Sequence, residues 1–205
     1  AVGENVKRFN VGDEVFSDLS TCGWGGFAEY VTAPEHALAH KPNNISFEEA
    51  AATPMAAVTA LQGLRDKGGI QSGHKVLIYG ASGGVGTFAV QISKSFGAEV
   101  TGVCSTRNVE ILRSIGADHI IDYTKEDFVQ HDECYDLVLG VNGSNSISAY
   151  KRILKPNGKF VHVGGSESQL YQTLFLGPFI SMTGSRKISS LLQRANQKDL
   201  NDVKE

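Results

Sequence analysis

A single stretch, residues 75–97, does the most to limit the folds that this chain can adopt. It begins with an apolar run at residues 76–79, continues through a glycine-rich turn, and then takes on helical spacing. A short apolar run between turn signals is typical of a strand buried on both faces of a parallel sheet. Gly97 stands where glycine commonly ends a helix. The stretch therefore predicts a buried strand, a glycine turn and a helix. The helical spacing is carried by Val85, Phe88, Ala89, Ile92 and Phe96.

The glycine turn, residues 80–86, fits two different patterns. It has the spacing G-x-x-G-x-x-G of a dinucleotide-binding loop, with Ala81 where the strict pattern has a glycine. Free backbone N–H groups and the helix dipole favour an anion at such a turn, so this interpretation predicts a bound pyrophosphate. Residues 80–84 also satisfy G-x-S-x-G, which makes Ser82 a candidate hydrolase nucleophile. A glycine turn without a ligand is the third interpretation.

Composition and charge argue against several classes of protein. The chain has 205 residues, 41% of them hydrophobic, with 23 glycines and a net charge of −3, which suits a loop-rich α/β protein. A pI of about 6.1 offers no basic surface to nucleic acid, and no apolar run reaches the length of a membrane span. The three cysteines are far apart and form no C-x-x-C, so we expect neither a disulfide framework nor a zinc knuckle. A reducing cytoplasm is the simplest setting.

Strand and helix patterns alternate along the rest of the chain after residue 75. Repeated β–α crossovers predict a doubly wound, parallel α/β sheet that binds ligands at the carboxyl ends of its strands. We predict strands at residues 75–79, 99–104, 119–122, 135–139, 159–163 and 187–194, and helices at 108–115, 146–154 and from 199 onward.

The first 48 residues have a different character. Turn and strand signals at residues 11–16 and 27–31 predict β structure, but these strands are too few to close a core of their own. Ser46 and Glu49 form a capping box that opens a short helix, and Pro54 begins another.

The residues after the second strand of the sheet indicate which dinucleotide binds. An acidic residue there accepts a hydrogen bond from the ribose of NAD, whereas basic and hydroxyl groups accommodate the 2′-phosphate of NADP. The chain has Ser105 and Arg107 at this place and no acid, which favours NADP(H). The alternatives are that Arg107 is a solvated turn residue, or that Glu110 pairs with it and weakens a phosphate contact.

Several motifs occur in the order and spacing of one family; they lie at residues 25–31, 50–61, 80–86, 105–108 and 116–123. Over nearly its full length the chain resembles the quinone oxidoreductase (zeta-crystallin-like) branch of the medium-chain dehydrogenase/reductase superfamily. The resemblance implies a partial GroES-like substrate domain at residues 1–48, a Rossmann domain at 49–195, and the start of a helix returning to the substrate domain at 196–205. The family's substrate domain begins well before Ala1 and is completed after Glu205, so we expect a truncated chain that is chiefly the cofactor-binding part.

The resemblance also implies which residues hold the cofactor. In the family the glycine loop binds the pyrophosphate, the residues matching Ser105, Arg107 and Tyr123 surround the 2′-phosphate, and the one matching Thr59 lies near the nicotinamide. The segment 140–143, which the resemblance places at the wall beside the nicotinamide ribose, departs from the family pattern of an acidic residue with a Val-Gly pair. The predicted NADP(H) site comprises Thr59, Gly80, Ala81, Ser82, Gly83, Gly84, Val85, Gly86, Ser105, Arg107, Tyr123, Val141, Asn142, Val163, Gly164 and Gly165.

The activity implied by the resemblance is hydride transfer from NADPH to a quinone, an enone or a related carbonyl compound. Met55 stands where zinc-dependent relatives have a cysteine ligand, and a thioether is a poor zinc ligand, so we expect no metal. No catalytic side chain is assigned, because catalysis would come mainly from orienting the nicotinamide and excluding water. We expect a homodimer when the protein is full length, a cytoplasmic location, and neither nucleic-acid nor membrane partners.

Two other functions stay open. A serine hydrolase would use Ser82 with Asp136 and His162, which follow in the required chain order, although His162 lies in an apolar strand pattern. A non-catalytic NADPH-binding module, either a sensor or a lens-type structural protein, would need the same cofactor site without an acceptor.

Overall fold

The computed structural model describes residues 1–130, 133–143 and 145–204. It divides into two compact units, one formed by Ala1–Thr59 with Gln193–Glu205 and the other by Ala60–Leu192. The predicted domains at residues 1–48, 49–195 and 196–205 stay a prediction.

The smaller unit contains a two-stranded antiparallel sheet of β1 (Val15–Phe16) and β2 (Ala39–His40). Two helices follow in the chain: α1 (Phe47–Ala52), which begins with the predicted capping box, and α2 (Pro54–Leu61), whose last two residues belong to the larger unit. This short sheet fits the predicted remnant of a substrate domain. A strand was also predicted at residues 27–31, and that prediction is wrong. These residues form no strand, and the side chains of Phe27 and Tyr30 are almost wholly exposed, because no described strand pairs with them.

The larger unit is built on a six-stranded parallel sheet. Its strands lie side by side in the order β5-β4-β3-β6-β7-β8. The chain adds strands outward from β3 to β5 and then returns to the centre of the sheet, so the strand order reverses between β3 and β6. This confirms the doubly wound Rossmann-type α/β sheet, whose reversal point marks the ligand crevice of such sheets. The strands are β3 (Lys75–Tyr79), β4 (Glu99–Cys104), β5 (His119–Asp122), β6 (Tyr135–Gly140), β7 (Leu154–His162) and β8 (Lys187–Ser190).

Helices cover both faces of the sheet. On β3, Val76 and Ile78 pack into one hydrophobic cluster with α3, and Leu77 packs into the other with Tyr150 and Phe160. All three β3 side chains are completely buried, as expected of a central parallel strand. The helices are α3 (Gly84–Ser95), α4 (Val109–Ser114), α5 (Ile147–Arg152) and α6 (Glu167–Thr183) in this unit, and α7 (Gln197–Asp202) in the smaller one. Shorter helical turns lie at Glu35–Ala37, Thr106–Asn108 and Phe128–Gln130, and a π-helix at Gln62–Gly68.

Two parts of the larger unit differ from the sequence prediction. The strand predicted at residues 159–163 begins at Leu154, because residues 154–158 continue it through an irregularity in which Asn157 has a φ of 67°. Helix α6 was not predicted at all. Its buried residues are Gln169, Thr173 and Gly177. The side of the helix that faces inward is therefore not the apolar one, which is the reverse of the usual amphipathic pattern. No helix in the described ranges has both the length and the apolarity needed to cross a membrane.

Candidate functional site

The larger unit has a cleft of about 960 Å³ at the carboxyl end of its sheet, around the ends of β3, β4 and β6. Parallel doubly wound sheets bind ligands at this place. The lining residues are Tyr79, Gly80, Ser82, Gly83, Gly84, Val85, Val103, Cys104, Ser105, Arg107, Asn108, Tyr123, Val141, Asn142, Gly143, Gly165 and Ser166.

The glycine loop leads from β3 into α3 along one side of the cleft. Gly80 has a φ of 82°, which favours glycine, and Ala81 is completely buried with its N–H donated to Val103 O at 3.1 Å. Helix α3 begins after Gly83 with no side-chain cap and no acidic residue in its first turn. Its first backbone N–H groups therefore have no intrahelical or side-chain acceptor, and the positive end of its dipole faces the cleft.

The glycines of this loop differ in what surrounds them. A Cβ at Gly86 would meet Gly80 O at 2.2 Å and Ala81 C at 2.6 Å, so this position must lack a side chain for α3 to lie against the loop. A Cβ at Gly83 would lie 3.5 Å from its nearest neighbour, and one at Gly84 would meet nothing within 4 Å. Internal packing therefore explains why position 86 must be a glycine, but it does not explain the glycines at positions 83 and 84. Because Gly83 and Gly84 lack side chains, they leave an open surface for a bulky anion.

The turn after β4 forms the side of the cleft that carries positive charge. Arg107 is exposed there, and within the described residues no side chain pairs with its guanidinium. The Glu110 carboxylate instead contacts Arg113 Nη1 at 2.5 Å, so the competing pair considered from the sequence is not formed. Asn108 Nδ2 donates to Ser82 Oγ at 2.9 Å, which ties this turn to the glycine loop.

The buried carboxylate of Asp122 holds the turn after β4 in place. Asp122, at the end of β5, accepts hydrogen bonds from Thr106 Oγ1 at 2.5 Å and from Thr124 Oγ1 at 2.7 Å. These bonds hold the pKa of Asp122 well below its ordinary value, and Lys125 Nζ lies 3.2 Å from the same carboxylate. The hydrogen-bonding capacity of the Asp122 carboxylate is therefore satisfied by neighbouring side chains, and Asp122 does not line the cleft.

The opposite wall consists of two backbone segments in very close contact. Gly143 and Gly165 form a parallel β-bridge, and a Cβ at Gly165 would meet Gly143 O at 2.3 Å. A Cβ at Gly143 would meet Tyr150 Oη at 2.4 Å, and one at Gly164 would meet Val141 O at 2.8 Å. The unusual segment at residues 140–143 is therefore explained by close packing against the segment that follows β7.

Eleven of the predicted cofactor residues line this cleft, and five do not. Ala81 and Gly86 support the loop from behind, and Val163 and Gly164 hold the opposite wall. Thr59 belongs to the smaller unit, where its hydroxyl donates to Met55 O at 2.6 Å, so its predicted place beside the nicotinamide stays a prediction. Six lining residues were not predicted; the most informative is Asn108, whose polar side chain just before α4 was a weak sequence signal.

The structure contradicts the hydrolase alternative, because its three residues do not come together. Asp136 lies at the amino end of β6, where its carboxylate accepts from Lys75 N at 2.8 Å and Lys155 Nζ at 2.7 Å, whereas Ser82 lies at the carboxyl end of the sheet. His162 is buried, and no described residue hydrogen-bonds either of its ring nitrogens. Burial also lowers the pKa of His162. A triad needs both hydrogen bonds of its histidine, so His162 cannot act as the base that activates Ser82.

Comparison with known proteins identifies the family. Residues 84–203 match the family described as zinc-binding dehydrogenases. The chain belongs to this family. It is 37% identical over 171 residues to a chloroplast envelope quinone oxidoreductase homolog of Arabidopsis thaliana, a match that covers 79% of this chain and 52% of the relative. A mitochondrial NAD(P)H oxidoreductase of Mus musculus is 38% identical over 164 residues, covering 76% of this chain and 41% of the relative.

A solved structure agrees with this placement among the zinc-binding dehydrogenases. The quinone oxidoreductase from Coxiella burnetii superposes with a TM-score of 0.82 at 31% identity, covering 98% of this chain and 62% of that one. The predicted resemblance to the quinone oxidoreductase branch of the medium-chain dehydrogenase/reductase superfamily is thereby confirmed. The chain spans about half the length or less of these two curated relatives.

The described residues of the chain do not form a site that fits a zinc ion. Met55 is half exposed, and it places a thioether at the position where the resemblance gives zinc-dependent relatives a cysteine ligand. Within the part of the chain that the structure describes, no three His, Cys, Asp or Glu side chains are grouped closely enough to hold a metal. Zinc independence of the whole protein stays a prediction.

Proposed function

We propose that the full-length protein is an NADPH-dependent oxidoreductase that reduces a quinone, an enone or a related carbonyl compound, and that residues 60–192 hold its cofactor. NADPH would supply the hydride. The family match, the oxidoreductase relatives and the cleft at the carboxyl end of the sheet support this proposal. A non-catalytic NADPH-binding module would use the same cleft. The oxidoreductase differs from it in oxidising NADPH when an acceptor is present.

The glycine loop is assigned to the pyrophosphate. The first turn of α3 presents backbone N–H groups without caps, and Gly83 and Gly84 leave space for phosphate oxygens. Backbone donors at a helix start bind phosphate without a charged side chain. The Gly143–Gly165 bridge gives the other wall a fixed shape, which suits a planar ring that must be held in one orientation.

The choice of NADPH over NADH depends on one observation, that the guanidinium of Arg107 has no partner among the residues that the structure describes. It lies with Ser105 and Tyr123 on the lining of the cleft. No carboxylate of the described residues competes for it, because Glu110 pairs with Arg113 and Asp122 is held by two threonines. A guanidinium binds a phosphate through a planar fork of donors.

Replacing Arg107 tests the cofactor assignment. Hydrogen bonds to charged groups contribute about 1.5–3 kcal/mol, and about 1.4 kcal/mol corresponds to a factor of ten. We therefore expect Arg107→Ala to weaken NADPH binding by roughly 10- to 100-fold while NADH changes little, with a smaller effect at high salt. Arg152→Ala is the matched control, since it removes an exposed arginine of α5 that does not line the cleft. Equal losses for both cofactors, or a wild-type preference for NADH, would contradict the assignment.

The acceptor is tested by NADPH oxidation with the full-length protein across quinones, enones and aldehydes. We expect turnover with at least one of the first two classes and no requirement for added metal. Tight NADPH binding without turnover on the whole panel would favour the non-catalytic module. The cytoplasmic location and the homodimer also remain our proposals, since the similar proteins include chloroplast and mitochondrial ones.

A further inference from the structure

Two buried polar side chains lie beside the Gly143–Gly165 bridge, outside the lining of the cleft. Tyr150 is completely buried and Gln169 is 1% exposed, and neither lines the cleft. The three atoms nearest to a Cβ placed on Gly143 would be Tyr150 Oη, Gln169 Nε2 at 3.0 Å and Gln169 Oε1 at 3.1 Å. A Cβ on Gly165 would meet the same Gln169 Oε1 at 2.8 Å. The polar ends of both side chains are therefore packed against the two glycines of the wall.

Two of these polar atoms make no hydrogen bond. Neither Tyr150 Oη nor Gln169 Oε1 has a partner among the residues that the structure describes. Burial raises the pKa of Tyr150 to about 12, and the neighbouring amides of Gln169 and Asn145 oppose that rise without completing a hydrogen bond to the hydroxyl. A buried polar atom without a partner costs free energy, and each one that a protein retains needs an explanation. Stability alone does not explain these two oxygens.

Both side chains are held in place by other neighbours. The ring of Tyr150 stacks on the ring of Phe160, with 4.4 Å between the centroids and an angle of 19° between the planes. Gln169 Nε2 donates to Asn145 O at 2.9 Å. Because stacking fixes the ring and a hydrogen bond fixes the amide, both side chains form a rigid support for the Gly143–Gly165 bridge.

The bridge lies where the nicotinamide half of the cofactor is expected, a step that rests on the proposed function. With the 2′-phosphate at Arg107 and the pyrophosphate at the first turn of α3, the rest of the lining is the wall that follows β6 and β7. That wall is left for the nicotinamide ring. Hydride transfer needs the ring at a close and aligned distance from the acceptor, and a misplacement of about 1 Å can cost about 100-fold in rate.

We propose that Tyr150 and Gln169 are positioning residues for hydride transfer, which support the Gly143–Gly165 bridge and thereby set the place of the nicotinamide ring. Tyr150 Oη is the atom nearest to the Cβ position of Gly143, so a phenylalanine would leave a gap of one atom there. The Gln169 amide lies beside both glycines, so its loss would loosen both segments of the bridge. The alternative is that the two oxygens share a buried water and only stabilise the fold.

Tyr150→Phe in the full-length protein separates these explanations, because it removes a single buried oxygen. Since that oxygen has no described partner, the melting temperature should stay the same or rise. We expect kcat for NADPH oxidation to fall roughly 5- to 20-fold, KM for NADPH to change less than about threefold, and the fluorescence emission of the bound nicotinamide to change. The affinity for 2′,5′-ADP, which lacks the nicotinamide, should stay within about twofold of wild type. Tyr135→Phe is the matched control, since it removes a buried tyrosine hydroxyl at the amino end of β6 and should leave kcat and emission unchanged.

The outcomes of this experiment distinguish failure of the positioning role from failure of the proposed function. Wild-type kcat and emission in Tyr150→Phe would overturn the positioning role alone, whether or not the melting temperature falls. A wild type that binds NADPH without turnover would contradict only the proposed reaction, because a changed emission in the variant would still support the positioning role and an unchanged emission would overturn it. A wild type that does not bind NADPH would overturn both.

A second variant tests whether the two side chains act through the same bridge. Gln169→Met keeps the length of the side chain but removes both polar atoms. Its melting temperature should fall, because Asn145 O loses its donor, and kcat should fall by about the same factor as in Tyr150→Phe. In the double variant, kcat should be no more than about twofold below that of the slower single variant, because residues that act on one element are not additive. Gln172→Met is the control on the same helix, since the hydrogen bonds of its amide do not involve the bridge. Losses that multiply in the double variant would contradict the shared role.

Discussion

The two ends of the six-stranded sheet carry similar polar side chains but use them differently. At the amino end, charged residues at the strand starts pair with one another: Lys75 Nζ lies 2.5 Å from Glu133, and Lys155 Nζ lies 2.7 Å from Asp136. At the carboxyl end, the Arg107 guanidinium has no described partner, and α3 begins without a side-chain cap. The charges at the amino end thus satisfy each other, whereas at the carboxyl end the donors that line the cleft are left open.

This difference predicts how the two ends respond to substitution. Paired groups at the amino end contribute to the free energy of folding, whereas unpaired donors around a concave surface contribute to it little and are available to a ligand. Substitutions at the amino end should therefore change stability without changing cofactor affinity, and those in the cleft should do the opposite. Gly86 is the exception within the loop, because it lies behind the binding surface.

The largest effect is expected at Gly86. A single Cβ there would come within 2.2 Å of Gly80 O and 2.6 Å of Ala81 C, and backbone atoms cannot move aside as a flexible side chain can. Overpacking of this kind costs about 1–3 kcal/mol and sometimes more, so we expect Gly86→Ala to lower the free energy of unfolding by at least about 3 kcal/mol. Gly84→Ala is the control, with nothing within 4 Å, and should stay within about 1 kcal/mol of wild type. Equal melting temperatures for the two variants would contradict the packing argument.

Gly83 should separate binding from stability. Its backbone is extended, with φ of −83° and ψ of 174°, and its Cβ position makes only an ordinary contact at 3.5 Å. Gly83→Val should therefore fold normally but place two methyl groups where the phosphate must lie. We expect NADPH binding to weaken on the order of 100-fold, about 2.7 kcal/mol, by calorimetry. Unchanged affinity would mean that the loop is a turn and not a phosphate site.

The sequence predicted best those elements whose cause is local. The β3–loop–α3 unit was predicted to within a residue or two, because buried runs, helical spacing and glycine stops are read along the chain. The prediction from the sequence failed at residues 27–31, where the strand pattern has no described partner strand. It also failed at α6, which gives no amphipathic signal because its apolar face points outward. In the cleft, the link from Asn108 to Ser82 was not predicted, since it joins residues 26 positions apart through the fold.

Asp136 tests the amino end. Burial alone would raise its pKa, but hydrogen bonds from Lys155 and from Lys75 N hold it below the ordinary value. We expect Asp136→Asn to lower the free energy of unfolding by about 1–2 kcal/mol at pH 7, with NADPH affinity unchanged. Because the folded pKa is depressed, this contribution is present above the unfolded value of about 3.9 and is lost as the pH falls through the folded value. Urea unfolding of both proteins at pH 7 and below pH 4 checks this, and a difference that is independent of pH would contradict it.

The smallest effect is expected at Ser82, where the dinucleotide and hydrolase interpretations differ most. If the backbone of the loop binds the phosphate, Ser82→Ala removes only the acceptor of the 2.9 Å hydrogen bond from Asn108, whose amide can still reach Ser105 Oγ at 3.4 Å. We therefore expect NADPH affinity to fall by less than about threefold and stability by no more than about 1 kcal/mol. Asn108→Ala is the useful companion, because it removes both hydrogen bonds of the amide, one to the loop at Ser82 and one within the turn at Ser105, and should weaken NADPH binding more than Ser82→Ala does. A fluorophosphonate probe provides the chemical check. Because no described histidine hydrogen-bonds Ser82 to accept its proton, Ser82 should not be labelled, whereas stoichiometric labelling at this residue would contradict the role that we assign to the loop.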